Sequence, residues 1–417
     1  MGISLGLVGL GSFGSAFAHL FKSHPLVDRI ALCDREPERI EKFATDPFFS
    51  DKFDPSDAYG SLDEICDSDI DALVIITQPW LHAPQCIQAM EAGKHVYSAV
   101  PIISIPDGHE ILDWCDRLVE TCRSTGMRYM LGETTCYRPQ AMFCRRKAAE
   151  GAFGDFVYCE GEYFHDVDAG CNLREVRRLR TSSRSGREWL EVKKKYQGKG
   201  LRGGPMHYPT HSTSGPVWTM NAHAEKVTAY GFRNRTGDPY FGDDAISNEV
   251  ALFRMSNGSI VRIAEMRETP GRPGEDSETF RVFGTKGSFS ENRWFEIQRP
   301  DFDNIDFDNL PRPDTRTLSY QEMRDPLPDD VVQAFKRALN PGAEEKDLQT
   351  MDFSPTGHGG SHPYLVHEFV DAVASERQPA INIWEAARYM AMGVMAHQSV
   401  LRDGERLDVP DWGDAPE

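Results

Sequence analysis

The feature that most constrains this chain is its first turn. A short apolar run, Ile3–Val8, leads straight into Gly9-Leu10-Gly11-Ser12-Phe13-Gly14. Phe13, Ala16, Phe17, Leu20 and Phe21 then recur at helical spacing. A GxGxxG alone is a weak signal, because glycines often serve only a turn. Here it joins a strand to a helix, and Asp34 stands twenty positions beyond Gly14, at the end of the next strand. That spacing predicts a dinucleotide site. Gly9, Gly11 and Gly14 permit a tight turn and close approach of a pyrophosphate to the helix N-terminus. Ser12 and Phe13 lie in the same turn, and the Asp34 carboxylate takes the ribose hydroxyls. Asp34 favours NAD, since a carboxylate repels a 2′-phosphate. Arg35 beside it leaves an opening for NADP.

The pattern continues as strand and helix in alternation. Strands are predicted at 29–33, 72–76, 95–98 and 128–131, and helices at 81–92 and 111–122. After Gly132 the runs change. A helix at 141–150 is followed by longer alternating strands at 156–164, 226–232, 249–255, 260–266 and 279–283. Asn257-Gly258 between two of them is a hairpin signal. The fold class expected is α/β: an N-terminal Rossmann dinucleotide-binding domain over 1–131, plus a C-terminal α+β domain over 132–417 with an open, mainly antiparallel sheet. The Asp- and Pro-rich segment 298–360 reads as loop. Helices within 363–401 are expected to pack back near the domain junction.

Composition narrows the partners. The 417 residues carry a net charge of −19, which disfavours nucleic acid and membrane surfaces. No run approaches the roughly 18 apolar residues of a membrane span. The N-terminus reads as a strand rather than a signal peptide. Nine cysteines with no CxxC pair suit reduced thiols in a cytoplasm, and no metal-ligand spacing is present.

Beyond the glycine turn, the chain carries Thr77-Gln78-Pro-Trp-Leu-His82, Gly93-Lys-His-Val96 and Gly404-Glu-Arg-Leu-Asp-Val409. With these it resembles the glucose–fructose oxidoreductase / inositol dehydrogenase / MocA (Gfo/Idh/MocA) superfamily. The resemblance implies an active site between the two domains, with Thr77, Gln78, His82, Val100 and Pro101 near the cofactor. Dehydrogenases of this kind carry Glu-Lys-Pro after the Gly-Lys-His-Val strand. Here the stretch is 97-YSAVPIIS-104, and Val100, which cannot move a proton, stands where the lysine would be.

A narrower series follows in order: Glu133-Thr-Thr-Cys-Tyr137, Gly151-Ala-Phe-Gly154, Cys159-Glu-Gly-Glu-Tyr163-Phe-His-Asp166, Tyr208-Pro-Thr-His211 and Gly357-His-Gly-Gly360. It is similar to the NAD-dependent glycosidases of glycoside hydrolase family 109 and to the related NAD-dependent sulfoquinovosidases. That resemblance implies transient oxidation of the sugar at C3, loss of the C2 proton, elimination at C1, water addition and re-reduction. The alternative is an NAD-dependent sugar or inositol dehydrogenase with a displaced base.

The catalytic candidates are His211 and Tyr208, with Glu133 and Tyr163 at positions the resemblance assigns near nicotinamide and sugar. His and Tyr suit a base whose pKa must lie near working pH. They fall in 203-GGPMHYPTHSTSGPVW-218, which reads as a rigid loop. His207 and Tyr137 are candidate substrate contacts, and 270-PGRPGEDSE-278 offers further carboxylates. Residues 174–202 hold eleven Arg/Lys and three Glu, a net of +8 in an acidic chain. The plain reading is a solvated loop or a subunit contact. The sharper one is an anion site, with Arg187, Lys193, Lys194 and Lys195 binding an anionic sugar such as a sulfoquinovoside. A homodimer or tetramer is an expectation from the resemblance alone.

Overall fold

The computed structural model describes residues 2–169, 173–242, 245–271, 277–340, 342–350 and 357–416. Its first sheet has six parallel strands: β1 (Ile3–Val8), β2 (Val27–Cys33), β3 (Phe53–Tyr59), β4 (Ala72–Ile75), β5 (His95–Ser98) and β6 (Tyr129–Leu131). They lie in the order β3-β2-β1-β4-β5-β6. The near-continuous apolar runs of β1, β2 and β4 match strands covered on both faces. The strand order reverses between β1 and β4, and the crevice beyond their C-terminal ends is where ligands of such sheets bind. β3 escapes the sequence reading because FDPSDAY carries polar residues and a proline. It is an edge strand paired only with β2, where both are tolerated.

The second sheet has nine strands: β7 (Phe156–Phe164), β8 (Ala224–Arg233), β9 (Ile246–Met255), β10 (Ile260–Met266), β11 (Glu278–Gly284), β12 (Gly287–Ser290), β13 (Arg293–Glu296), β14 (Asp314–Thr317) and β15 (Leu407–Asp408). All neighbours are antiparallel except β7 with β10. The turn between β9 and β10 contains Asn257-Gly258, as the hairpin signal predicts. One face is covered by the helices Thr210–Met220 and Ile383–Leu401. The opposite face leaves Tyr230, Leu252 and Ile260 exposed. Helix Ile383–Leu401 also packs against helix Gly108–Thr125 of the first domain, and Leu131 N donates to Ile381 O at 2.9 Å. The C-terminal helices therefore close the junction.

Three expectations are corrected. The stretch 203–218 is not a loop: a single turn at Pro205–His207 is followed by the helix Thr210–Met220, buried except for Trp218. Its Pro209, Gly215 and Pro216 read as loop residues, and a helix buried all round has no polar face to betray its period. It lies directly on β7 at Gly161, where a Cβ would come within 1.8 Å of Ser212 O. Segment 298–360 contains β14 and the helices Tyr320–Met323 and Asp329–Leu339. The second of these buries Val331, Phe335 and Ala338, a helical spacing that the surrounding Asp and Pro residues obscured. The basic segment is a helical hairpin, Leu173–Ser182 and Arg184–Gly198, with only Gly186 buried. Its first helix is tied to the sheet domain by Arg174–Asp238 at 2.8 Å and by Arg177 donating to Tyr240 O at 2.6 Å. Its second rests on the Rossmann domain: Trp189 stacks on Trp80 at 5.1 Å, and Tyr196 donates to Glu110 at 2.8 Å.

The eight described cysteines are free and buried, and Cys171 lies outside the described residues. Among the described residues no helix is long and apolar enough to cross a membrane.

Candidate active site

The glycine turn leaves room for a dinucleotide. Gly9 adopts φ +91°, and a Cβ on Gly14 would come within 2.0 Å of Gly9 O, so the helix Ser12–Ser23 sits hard against the turn. Above Gly11 the space is open, with no heavy atom nearer than Arg39 Nη1 at 3.9 Å. No side chain caps that helix and its first turn holds no acid, so its leading N–H groups face the crevice free. Asp34 is anchored at both oxygens, accepting from Leu10 N at 2.8 Å and Glu36 N at 2.9 Å. These residues fit NAD. Across the crevice, His82 is buried and donates through Nδ1 to Pro101 O at 2.9 Å, and Thr77 donates to Gln85 at 2.5 Å. Burial pushes the His82 imidazole down to about 4, so it is neutral at ordinary pH.

Facing this crevice from the sheet domain is a buried acid–base cluster. His211, at the start of helix Thr210–Met220, meets Glu133 through Nδ1 at 2.9 Å. Glu133 is fully buried and also accepts from Thr135 N at 2.9 Å. Glu278, on β11, lies 4.0 Å from the same His211 nitrogen and is held by Arg138 at 2.7 Å. Burial alone would lower the His211 imidazolium. The two carboxylates outweigh it and push it up to about 9. The two carboxylates thus favour the protonated imidazole at His211.

The opposite shift occurs one strand away. Tyr163 on β7 lies 5.2 Å from the His211 ring, and its hydroxyl is hydrogen-bonded to His165 Nδ1. Burial and the nearby Arg267 push His165 down to about 4, so it stays neutral. Arg267 stacks over the Tyr163 ring at 4.6 Å and pairs with the fully buried Glu265 at 2.6 Å. Tyr208 completes the wall. Its ring lies 5.7 Å from His211, its hydroxyl donates to Val100 O at 3.4 Å, and burial keeps its phenol protonated. Gly357–Gly360 carries His358 in the left-handed region at φ +55°, between the Phe13 ring at 5.9 Å and the His211 ring at 6.5 Å.

The structure thus gathers Glu133, Tyr163, Tyr208 and His211. It adds Arg138, His165, Arg267 and His358, which the sequence reading did not single out. Of the carboxylates in 270–278, Glu278 reaches the cluster, while Glu275 and Asp276 lie outside the described residues. Other candidates stand elsewhere. His207 is buried against His397 at 4.6 Å and bonds Ile105 O at 3.1 Å, which anchors the turn rather than a sugar. Tyr137 is a core ring stacked on Tyr364 at 6.3 Å. Lys194 pairs with Glu191 of its own helix at 2.7 Å, Lys195 is exposed, and Arg187 donates to Ser182 O at 2.5 Å. Only Lys193 is half-buried, opposite Arg177. Arg35 is paired with Glu188 at 3.0 Å.

Residues 3–133 match the Gfo/Idh/MocA oxidoreductase family with its NAD-binding Rossmann fold. Residues 346–415 match the glycosyl hydrolase 109 C-terminal domain. A glycosyl hydrolase family 109 protein of Stenotrophomonas maltophilia (strain K279a) is 26% identical, over 98% of this chain and 89% of the relative. An alpha-N-acetylgalactosaminidase of Tannerella forsythia is 24% identical, over 81% of this chain and 70% of the relative. Among solved structures, a levoglucosan dehydrogenase in complex with NADH and L-sorbose superposes with a TM-score of 0.67 at 19% identity, covering 99% of this chain and all of that one. Myo-inositol 2-dehydrogenase from Lactobacillus plantarum gives 0.64 at 17%, covering 98% of this chain and all of that one. These structures share the fold. The chain thus matches an oxidoreductase-family model at its N-terminal end and a glycosyl hydrolase 109 model at its C-terminal end.

Proposed function

We propose that the chain is an NAD-dependent glycosidase that cleaves by transient C3 oxidation, elimination of the C1 substituent, water addition and re-reduction, with no net redox change. The observation that carries this reading is the buried cluster facing the glycine turn, in which His211 meets Glu133 at 2.9 Å and lies against the Tyr163 and Tyr208 rings. When bound, NAD supplies a reversible hydride acceptor at the sugar. His211, held protonated by Glu133 and Glu278, donates a hydrogen bond to the carbonyl oxygen that must carry charge when the C2 proton leaves. Tyr163, hydrogen-bonded to His165 and beneath the Arg267 guanidinium, orients the sugar beside His211. Tyr208, against the Val100 carbonyl, exchanges the hydroxyl proton in place of the missing lysine.

The substrate we propose is an anionic glycoside, specifically a sulfoquinovoside. Support comes from the net positive charge of the helical hairpin 173–198, whose second helix rests on the Rossmann domain through Trp189 and Tyr196. A panel of neutral, N-acetylated, uronic and sulfonated aryl glycosides, assayed for aglycone release with added NAD, tests reaction and charge preference together. Preference for the sulfonated member fits, whereas preference for a neutral one overturns the charge assignment. The second reading is a sugar or inositol dehydrogenase, favoured by the dehydrogenase fold. Net NADH accumulation from a free sugar decides for it. The exposed ridge of Tyr230, Leu252 and Ile260 on the open sheet face supports a homodimer or tetramer, testable by light scattering.

A further inference from the structure

Arg35 follows Asp34 directly at the end of β2, beside the ribose site. An arginine near that acid is the group that accommodates a 2′-phosphate. In this chain the arginine is already engaged. Glu188, from the helix Arg184–Gly198, accepts from Nη1 and Nη2 of Arg35 at 3.0 Å each. The helix is fixed there by independent contacts: Trp189 stacks on Trp80 with 7° between the rings, and Tyr196 donates to Glu110. The other cations nearby are Arg39, 3.4 Å from Asp34, and Arg184, 3.6 Å from Glu188. The Arg35 and Glu188 side chains are 43% and 55% exposed. Such a pair contributes little to stability, so its consequence is local charge and geometry. A carboxylate and a phosphate compete for the same two-point fork of a guanidinium.

We propose that Glu188 is a cofactor-specificity residue. It occupies the fork of Arg35 that a 2′-phosphate would need, and it adds its negative charge to that of Asp34. The substrate-side hairpin thereby reads the adenosine end of the cofactor and rejects NADP.

The test is the ratio of dissociation constants for NADP and NAD, measured by isothermal titration calorimetry on the full chain freed of copurified nucleotide. Glu188→Gln is expected to lower the ratio on the order of tenfold. Arg35→Gln/Glu188→Gln is expected to abolish that gain, because the phosphate's receptor is gone. An unchanged ratio in Glu188→Gln overturns the proposal. So does a gain that survives in the double variant, or an equal weakening of both cofactors, which marks loss of helix docking alone. The readout is binding, so it stands whether or not the glycosidase reading holds.

Discussion

The charge on His211 is the most exposed part of the mechanism, and Glu133→Gln isolates it. The substitution keeps the shape of a fully buried side chain and removes one negative charge at 2.9 Å. In the native protein His211 is lifted from 6.5 to about 9 against the opposing effect of burial. At ~1.4 kcal/mol per pH unit, that rise corresponds to about 3 kcal/mol favouring the imidazolium. Without Glu133, only Glu278 at 4.0 Å opposes burial, and the imidazole is expected to fall below neutrality. The pH–rate profile of aryl-glycoside cleavage reads this directly. The wild-type alkaline limb should lie near 9, and in Glu133→Gln it should move down by at least two units, with kcat at pH 7.5 reduced roughly 10²–10³-fold.

Linkage gives a second readout of defined sign. A raised folded-state pKa contributes stability fully present below 6.5 and lost as pH rises through about 9. The wild-type melting temperature should therefore fall between pH 7 and pH 10, and this component of the fall should be missing in Glu133→Gln. An alkaline limb that stays in place in the variant, or a wild-type His211 that titrates near 6.5, refutes the reasoning.

Other perturbations address separate parts of the site. Tyr208→Phe removes the hydroxyl at Val100 O and should lower kcat by at least about a hundredfold with NAD affinity unchanged, as steady-state kinetics and calorimetry will show. Gly14→Ala would put a Cβ 2.0 Å from Gly9 O and should abolish NAD binding without unfolding the sheet domain, checked by cofactor titration and thermal melting. Arg180→Glu in the basic hairpin should raise KM for a sulfonated glycoside at least tenfold and leave KM for a neutral one nearly unchanged; equal effects on both contradict an anion role. Glu249→Gln removes a fully buried partner of His397 Nδ1 and Met206 N, and should cost about 3 kcal/mol in denaturant unfolding.

The Rossmann half was legible because its signals are local. A strand, a glycine turn and an acid at fixed spacing specify one backbone path, and the apolar runs of β1, β2 and β4 need no tertiary information. The hairpin at Asn257-Gly258 was legible for the same reason. What stayed hidden depends on contacts distant in sequence. Helix Thr210–Met220 is rich in Ser and Thr yet buried on nearly every side because it lies between a sheet and neighbouring helices, so it shows no amphipathic period. Glu278 and Arg138 meet His211 only after β11 pairs with β7, which no spacing reveals. The surroundings of His211 were hidden for the same reason: its stretch Tyr-Pro-Thr-His gives no sign of the two buried carboxylates, Glu133 and Glu278, that other elements bring to it. His165, two residues past Tyr163, carries a neutral imidazole. The lysine run was the loudest charge signal, yet Lys194 is spent on Glu191 and Lys195 faces outward.

One measurement bears most directly on the central claim. The full chain is incubated with an aryl glycoside and NAD in deuterium oxide, with aglycone release, absorbance at the reduced-nicotinamide band and isotope content at C2 followed together. The account predicts sustained aglycone release, no net NADH, and deuterium at C2 of the released sugar. Aglycone release without deuterium at C2, or stoichiometric NADH without cleavage, would contradict it.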